Sequence, residues 1–232
     1  MSRRILVTGT SRGIGRALAE HFLAQGDLVV GCARGATDLE HERYRHVAAD
    51  VTEEESVKDL FRAVRDHMAG LDGLVNNAGT ARMAPMMLTP AAAAARVLDV
   101  NFTGVFRLSR EAVRLLRRSR AGRIVNLTTV AVPLRLEGEA VYAASKSAVE
   151  TFTRIVAREL GPLGVTCNAL GPSPIRTDLI RGISEDKLQE LIDRQSIPRW
   201  AEPADVVNAI EFFLSPASGM ITGQVIYLGG LG

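Results

Sequence analysis

Short apolar runs rich in β-branched residues alternate along the chain with longer amphipathic segments, and this alternation restricts the fold more than any other feature. RILVTG, DLVVGCA, RHVAAD, LDGLVNNAG, GRIVNLTT, GVTCNALG and GQVIYLGG have strand length and are bounded by turn-forming residues. Between them, GIGRALAEHFLAQG closes on Gly26, and EESVKDLFRAVRDHMAG sets Val57, Leu60, Phe61 and Val64 on one helical face. TGVFRLSREAVRLLRRS, EAVYAASKSAVETFTRIVARELG and PADVVNAIEFFLS also carry helical periodicity. Strand–helix–strand units require right-handed crossovers and give parallel pairing with both sheet faces covered. The expected fold is α/β: a doubly wound parallel sheet of about seven strands with helices on both faces. The link RGATDLEHERY is too short for a full helix with its turns, so an abbreviated crossover is expected there. No repeat, linker or low-complexity tract divides the 232 residues, and 1–232 reads as one domain.

Composition excludes several functions. A net charge of +2 is too small to argue for nucleic acid. The basic cluster RLLRRSRAGR, residues 114–123, reads as a solvated helix end, with an anionic partner surface as the rarer alternative. Cys32 and Cys167 lie in apolar strand runs, as buried free thiols of a reducing compartment do. No Cys or His spacing suits a metal. The apolar run after Arg3 and Arg4 is only ILV, too short for a signal peptide, and no segment could span a membrane. The expectation is a cytoplasmic protein that binds neither nucleic acid nor membrane.

The stretch TGTSRGIG, Thr8 to Gly15, follows the first strand and opens the first helix. Its glycines are not spaced G-x-G-x-x-G, but they can do the same work. Gly9 permits a tight turn, Gly13 lets backbone approach a pyrophosphate, and Gly15 allows close packing of helix on sheet. A helix N-terminus then offers free N–H groups to phosphate. Ser11, Arg12 and Ile14 complete this candidate dinucleotide loop, which makes the domain Rossmann-like. At the end of the second strand, where an Asp or Glu would hold a free ribose 2′-hydroxyl, stand Ala33 and Arg34. Arg34 with Arg12 could clamp a 2′-phosphate, so NADP(H) is expected over NAD(H).

Tyr142 and Lys146 lie one turn apart in a helix of small apolar residues, so they share a face. Alone, such a pair is most often an aromatic anchor beside a solvated lysine. Together with TGTSRGIG, NNAG (Asn76 to Gly79), Asn101 in VNFTG, and the terminal TGQVIYLGG, the segment YAASK resembles the short-chain dehydrogenase/reductases over nearly the whole chain. Within that family the chain is most similar to the 3-oxoacyl-(acyl carrier protein) reductases.

The resemblance implies NADPH-dependent reduction of a ketone to a secondary alcohol, with a 3-oxoacyl thioester as substrate class. It makes Tyr142 the proton donor and has Lys146 hold the nicotinamide ribose. Lys146 and the charge of the oxidised cofactor would lower the phenol's pKa from about 10. By the same likeness Asn101 holds a water leading from Lys146 to solvent. Asp50 and Val51 contact adenine, while Asn77, Ala78, Gly79, Pro172, Ile175 and Thr177 contact the cofactor. A homotetramer paired through the helices that begin at Gly104 and Ala140 is implied as well.

Three departures from the family pattern stand out. Thr129 occupies the place of a serine thirteen residues before the tyrosine. It keeps a hydroxyl but adds a methyl that restricts χ1, so slower chemistry is expected. Pro172–Ser173 replaces the usual Pro–Gly, and Ser173 either adds a hydroxyl near substrate or stiffens its loop. The short link after Arg34 is the third. Substrate walls are expected from Met83, Met86, Met87, Pro133, Leu134, Leu136 and the stretch from Ile180 to Trp200, which includes a short lid-like helix. They suit an acyl chain or another hydrophobic ketone. An acyl carrier protein is left open as a partner. Arg120 stands where the resembling reductases have one docking arginine, but Leu163 occupies the second position. The rival readings are a weakened NADP-binding sensor or scaffold, motivated by Thr129, and an enzyme of the same family acting on a different small ketone.

Overall fold

The computed structural model describes residues 2–180 and 182–230. In chain order the elements are β1 (Arg4–Thr8), α1 (Gly13–Ala24), β2 (Leu28–Ala33), β3 (Tyr44–Ala48), α2 (Glu54–Met68), β4 (Gly73–Asn76), α3 (Ala91–Leu98) and α4 (Gly104–Leu116). There follow β5 (Gly122–Leu127), α5 (Ala131–Leu134), α6 (Ala140–Leu160), β6 (Val165–Gly171), α7 (Glu185–Asp193), α8 (Pro203–Leu214) and β7 (Val225–Tyr227). One sheet of seven strands runs in the order β3-β2-β1-β4-β5-β6-β7, with every pairing parallel.

The five central strands β1, β2, β4, β5 and β6 are buried on both faces, and their side chains sort with the two-residue period of a pleated strand. Leu6, Val30, Cys32, Leu74, Ile124 and Cys167 enter one core with Leu60 and Phe61 of α2, Leu108 and Leu116 of α4, and Val156 of α6. Ile5, Val7, Val29, Val75, Val125 and Leu170 enter the other, with Leu18 and Phe22 of α1 and Val206, Ile210 and Phe213 of α8. A one-residue slip in any central strand would exchange the two sets. Burying a side chain such as Phe22 or Leu74 contributes about 2–3 kcal/mol, so the alternation fixes the register.

The link after β2 contains no helix, as its length requires. Chain order reverses between β1 and β4, because β1 leads outward to β2 and β3 while β4 leads the other way. Such a reversal opens a crevice at the carboxyl ends of the strands. Three features lie outside the sequence reading: α3, in the alanine-rich run after Pro90, a single π-helical turn, Asp99–Thr103, that joins α3 to α4, and the one-turn helix α5 after β5.

Candidate active site

A cleft of about 920 Å³ opens along the carboxyl ends of β1, β2, β4, β5 and β6. At its floor the glycine turn lies under the start of α1. Gly9 takes φ +78°, and a Cβ there would sit 2.8 Å from Asn77 Nδ2. Gly15 is buried, and a Cβ on it would collide with the Gly9 carbonyl. Thr8 Oγ1 accepts from the backbone N–H groups of Asn77 (3.0 Å) and Ala78 (2.9 Å), while Asn77 Nδ2 donates to the Thr8 carbonyl at 2.7 Å. The ends of β1 and β4 are thus locked together. No side chain caps α1, and its first turn holds no acidic residue. Its leading N–H groups therefore face the cleft without competition, an arrangement that fits a phosphate-bearing cofactor.

The remaining candidates divide into those lining the cleft and those behind it. Ser11, Arg12, Gly13, Ile14, Arg34, Asp50, Val51, Ala78, Gly79, Thr129, Tyr142, Lys146, Pro172, Ile175 and Thr177 line it, with Gly9 and Asn77. Thr177 crosses to the glycine turn, its methyl 3.6 Å from where a Gly13 Cβ would be. Arg34 is exposed at the end of β2, and no carboxylate shares that position. Arg12 is instead paired with Asp178 at 2.7 Å, across from the glycine turn. Asp50 is occupied as well: Oδ1 accepts from Thr52 N–H (2.9 Å) and Thr52 Oγ1 (2.7 Å), and Oδ2 from Arg96 (2.9 Å). Burial pushes the Asp50 carboxyl up, but the Thr52 and Arg96 hydrogen bonds bring it down to about 2.

Asn101 sits behind the wall, fully buried in the π-helical turn. Its Oδ1 accepts from Thr80 N–H at 2.9 Å, and its Nδ2 donates to the Thr80 carbonyl (2.9 Å) and Ser145 Oγ (3.0 Å). The extra residue of a π turn, common at functional sites, aims this amide at the loop carrying Gly79. Asn101 thereby fixes the chain beside Lys146.

The catalytic candidates converge from β5 and α6. Tyr142 and Lys146 are both buried on the inner face of α6, not solvated. Lys146 Nζ donates to the Leu127 carbonyl at the end of β5 (2.8 Å). With no carboxylate beside it, burial lowers the ammonium to about 8. Tyr142 departs from expectation. Burial pushes its phenol up to about 12, a hydrogen bond with Thr129 pulls it down, and the charge of Glu139 adds to the rise. Desolvation of the phenolate outweighs any help from Lys146, so Tyr142 holds its proton in this state. Thr129 Oγ1 also accepts from Ala131 N–H at 3.2 Å, which orients the hydroxyl.

The alternatives for Ser173 resolve toward stiffening: its Oγ donates to the Leu228 carbonyl at 2.7 Å, tying the loop after β6 to the end of β7. Among the expected substrate walls, Met83, Leu136 and Ile180 line the cleft, whereas Pro133 and Leu134 do not. Met86 and Met87 are 74% and 88% exposed on a turn outside it. The lid-like helix is α7; its Leu188 and Leu191, with Ile183 before it, close the far side. Arg181, within the expected Ile180–Trp200 stretch, lies outside the described residues. Sequence reasoning missed Arg96, Ser145 and Glu139, which reach the site only through the packing of α3 and α6. No group of residues suited to a metal ion occurs among the described residues, and no helix among them is long and apolar enough to cross a membrane.

The family model described as enoyl-(acyl carrier protein) reductase matches residues 9–230. The chain belongs to the short-chain dehydrogenase/reductase family. It is 33% identical to the 3-oxoacyl-(acyl-carrier-protein) reductase FabG of Vibrio cholerae, over 97% of this chain and 95% of that one. To the FabG of Escherichia coli K12 it is 32% identical over the same shares. The ligand-free structure of Thermoplasma acidophilum aldohexose dehydrogenase superposes with a TM-score of 0.90 at 30% identity, covering 99% of this chain and 94% of that one. A putative gluconate dehydrogenase from Agrobacterium tumefaciens gives 0.88 at 30%, covering 98% and 94%. This short-chain dehydrogenase/reductase is an oxidoreductase, and its seven-stranded domain is the fold of those dehydrogenases.

Proposed function

We propose that the enzyme reduces a ketone to a secondary alcohol with NADPH, and that the ketone is a 3-oxoacyl thioester. The observation that carries this reading is the placing of Thr129 and Tyr142 together on the cleft wall, with Lys146 buried one helical turn beyond. The FabG relatives, named as 3-oxoacyl-(acyl-carrier-protein) reductases, support the substrate class.

A bound nicotinamide supplies the hydride. The residues do the rest. Thr129 and Tyr142 offer two hydroxyl donors to one carbonyl oxygen, which polarises the carbon and fixes its face. The high proton affinity of Tyr142 keeps the phenol protonated until charge develops on that oxygen. The proton then moves from Tyr142 Oη to the oxygen, and the ammonium of Lys146 favours the phenolate left behind. Lys146 and Gly79 border the ribose position, and the open end of α1 receives the pyrophosphate. Arg34 is the group placed for a 2′-phosphate, with Arg12 joining it on release from Asp178. The cluster Met83, Leu136, Ile183, Leu188 and Leu191 gives an acyl chain an apolar wall. Thr129 keeps the needed hydroxyl, so the sensor reading has no geometric support.

The test follows NADPH and NADH absorbance with 3-oxoacyl thioesters, diketones and cyclic ketones. Preferential NADPH oxidation led by the thioesters is expected. Preference for NADH, or another class leading, would reject the cofactor or substrate assignment.

A further inference from the structure

The polar stripe of α6 runs one residue further than the mechanism uses. Tyr142 and Lys146 are followed one turn later by Glu150, and all three are buried on the same face of the helix. The partners of the Glu150 carboxyl are hydroxyls, not the Lys146 ammonium. Thr128 Oγ1 and Tyr227 Oη both donate to its Oε1, each at 2.7 Å. Gly171 makes room for this contact: a Cβ there would lie 2.4 Å from the Tyr227 ring and 3.2 Å from the Thr128 methyl.

The bond to Thr128 is one of a series in which α6 grips the end of β5 residue by residue. Thr153 Oγ1 accepts from Asn126 Nδ2 at 2.8 Å, Lys146 holds the Leu127 carbonyl, and Glu150 holds the Thr128 hydroxyl. The sheet ends at the same place. β5 stops at Leu127, and the last bond to β6 runs from Thr128 N–H to the Leu170 carbonyl at 2.8 Å. Thr129 is the next residue, beyond the sheet, and it follows a residue whose side chain α6 fixes. Burying a carboxyl costs desolvation that an apolar side chain of similar size would not. What this one provides is a Thr128 held in one place by a satisfied polar network.

We infer that Glu150 is a positioning residue for the reduction: by holding the Thr128 side chain it sets the Thr129 hydroxyl beside Tyr142, so that both reach one carbonyl oxygen. This rests on the reading of Thr129 and Tyr142 as the carbonyl site. It gives α6 the placing of the polarising hydroxyl as well as of the proton donor.

Glu150→Leu, Glu150→Gln and Thr128→Val are compared with wild type by NADPH oxidation with acetoacetyl coenzyme A, a 3-oxoacyl thioester, and by NADPH fluorescence for binding. Loss of the bond, in Glu150→Leu or in Thr128→Val, lowers kcat about tenfold or more, as a displaced catalytic group does, and leaves NADPH binding within about twofold. Glu150→Gln keeps an acceptor oxygen and recovers most of the rate. In a Thr129→Ala background Glu150→Leu costs nothing more, because the group it places is gone. An equal loss in both backgrounds, or no loss in the wild-type one, overturns the inference. Should wild type leave the thioester unreduced, or Thr129→Ala not slow it, the substrate or carbonyl reading fails separately. Methyl NMR of Thr129 then decides: one χ1 rotamer in wild type and Glu150→Gln that gives way to an average in Glu150→Leu and Thr128→Val supports the role of Glu150, and an unchanged rotamer overturns it.

Discussion

Replacing Lys146 by methionine should make the protein more stable while removing its activity. The ammonium is 4% exposed, with one hydrogen bond, to the Leu127 carbonyl, and no counter-charge. Burial lowers its pKa from 10.5 to about 8. At about 1.4 kcal/mol for each tenfold change in proton affinity, keeping that charge inside at neutral pH costs about 3 kcal/mol. Methionine fills similar space without charge and forfeits the bond to Leu127, worth about 1 kcal/mol. The net gain at pH 7 is about 2 kcal/mol, or about 4–8 °C in Tm for a chain of this size. The pH dependence carries a sign. The folded pKa lies below the unfolded one, so the penalty is fully present below about 8 and is relieved as pH rises toward 10.5. The advantage of Lys146→Met should therefore shrink across that window. Urea unfolding of both proteins at pH 7, 8.5 and 10 reads the difference, since other groups cancel. A variant less stable at pH 7, or a gap indifferent to pH, would refute the claim that a lysine without counter-charge is held for chemistry against stability.

Two further substitutions test separate parts of the site. Arg34→Ala should raise KM for NADPH about tenfold or more and leave NADH unaffected, because only the phosphorylated ribose offers Arg34 a charge-assisted partner; equal effects on both cofactors would remove Arg34 from the 2′-phosphate site. Ser173→Ala breaks the 2.7 Å bond to the Leu228 carbonyl and should cost about 1–2 kcal/mol in urea unfolding with KM for ketone unchanged. A raised KM without loss of stability would return Ser173 to a substrate role.

What the sequence made legible follows from which interactions are local. The two-residue and helical periods announced the strands, because each central strand is buried on both faces and each covering helix on one. The glycine turn was legible because its conformation is backbone chemistry, as the positive φ of Gly9 shows. The run AAAAARVL gives no amphipathic contrast, and so α3 was missed. A π turn leaves no periodic trace, so nothing in the sequence announced that Asn101 is a buried amide braced on Thr80 and Ser145. Arg12 shows the same limit for charges. Its position in the turn was plain, but its pairing with Asp178 joins residues far apart in the chain. For Tyr142 the sequence led to an expected fall in the phenol's pKa, whereas burial, a property of the packed site, raises it.

The most direct measurement of the central claim compares Tyr142→Phe with wild type in two assays: NADPH binding by fluorescence, and NADPH oxidation with the best ketone. The account predicts binding within about threefold and turnover lower by about 10²–10⁴-fold, the contribution of a positioned general acid. Turnover retained at the wild-type rate would contradict Tyr142 as the proton donor, and with it the mechanism.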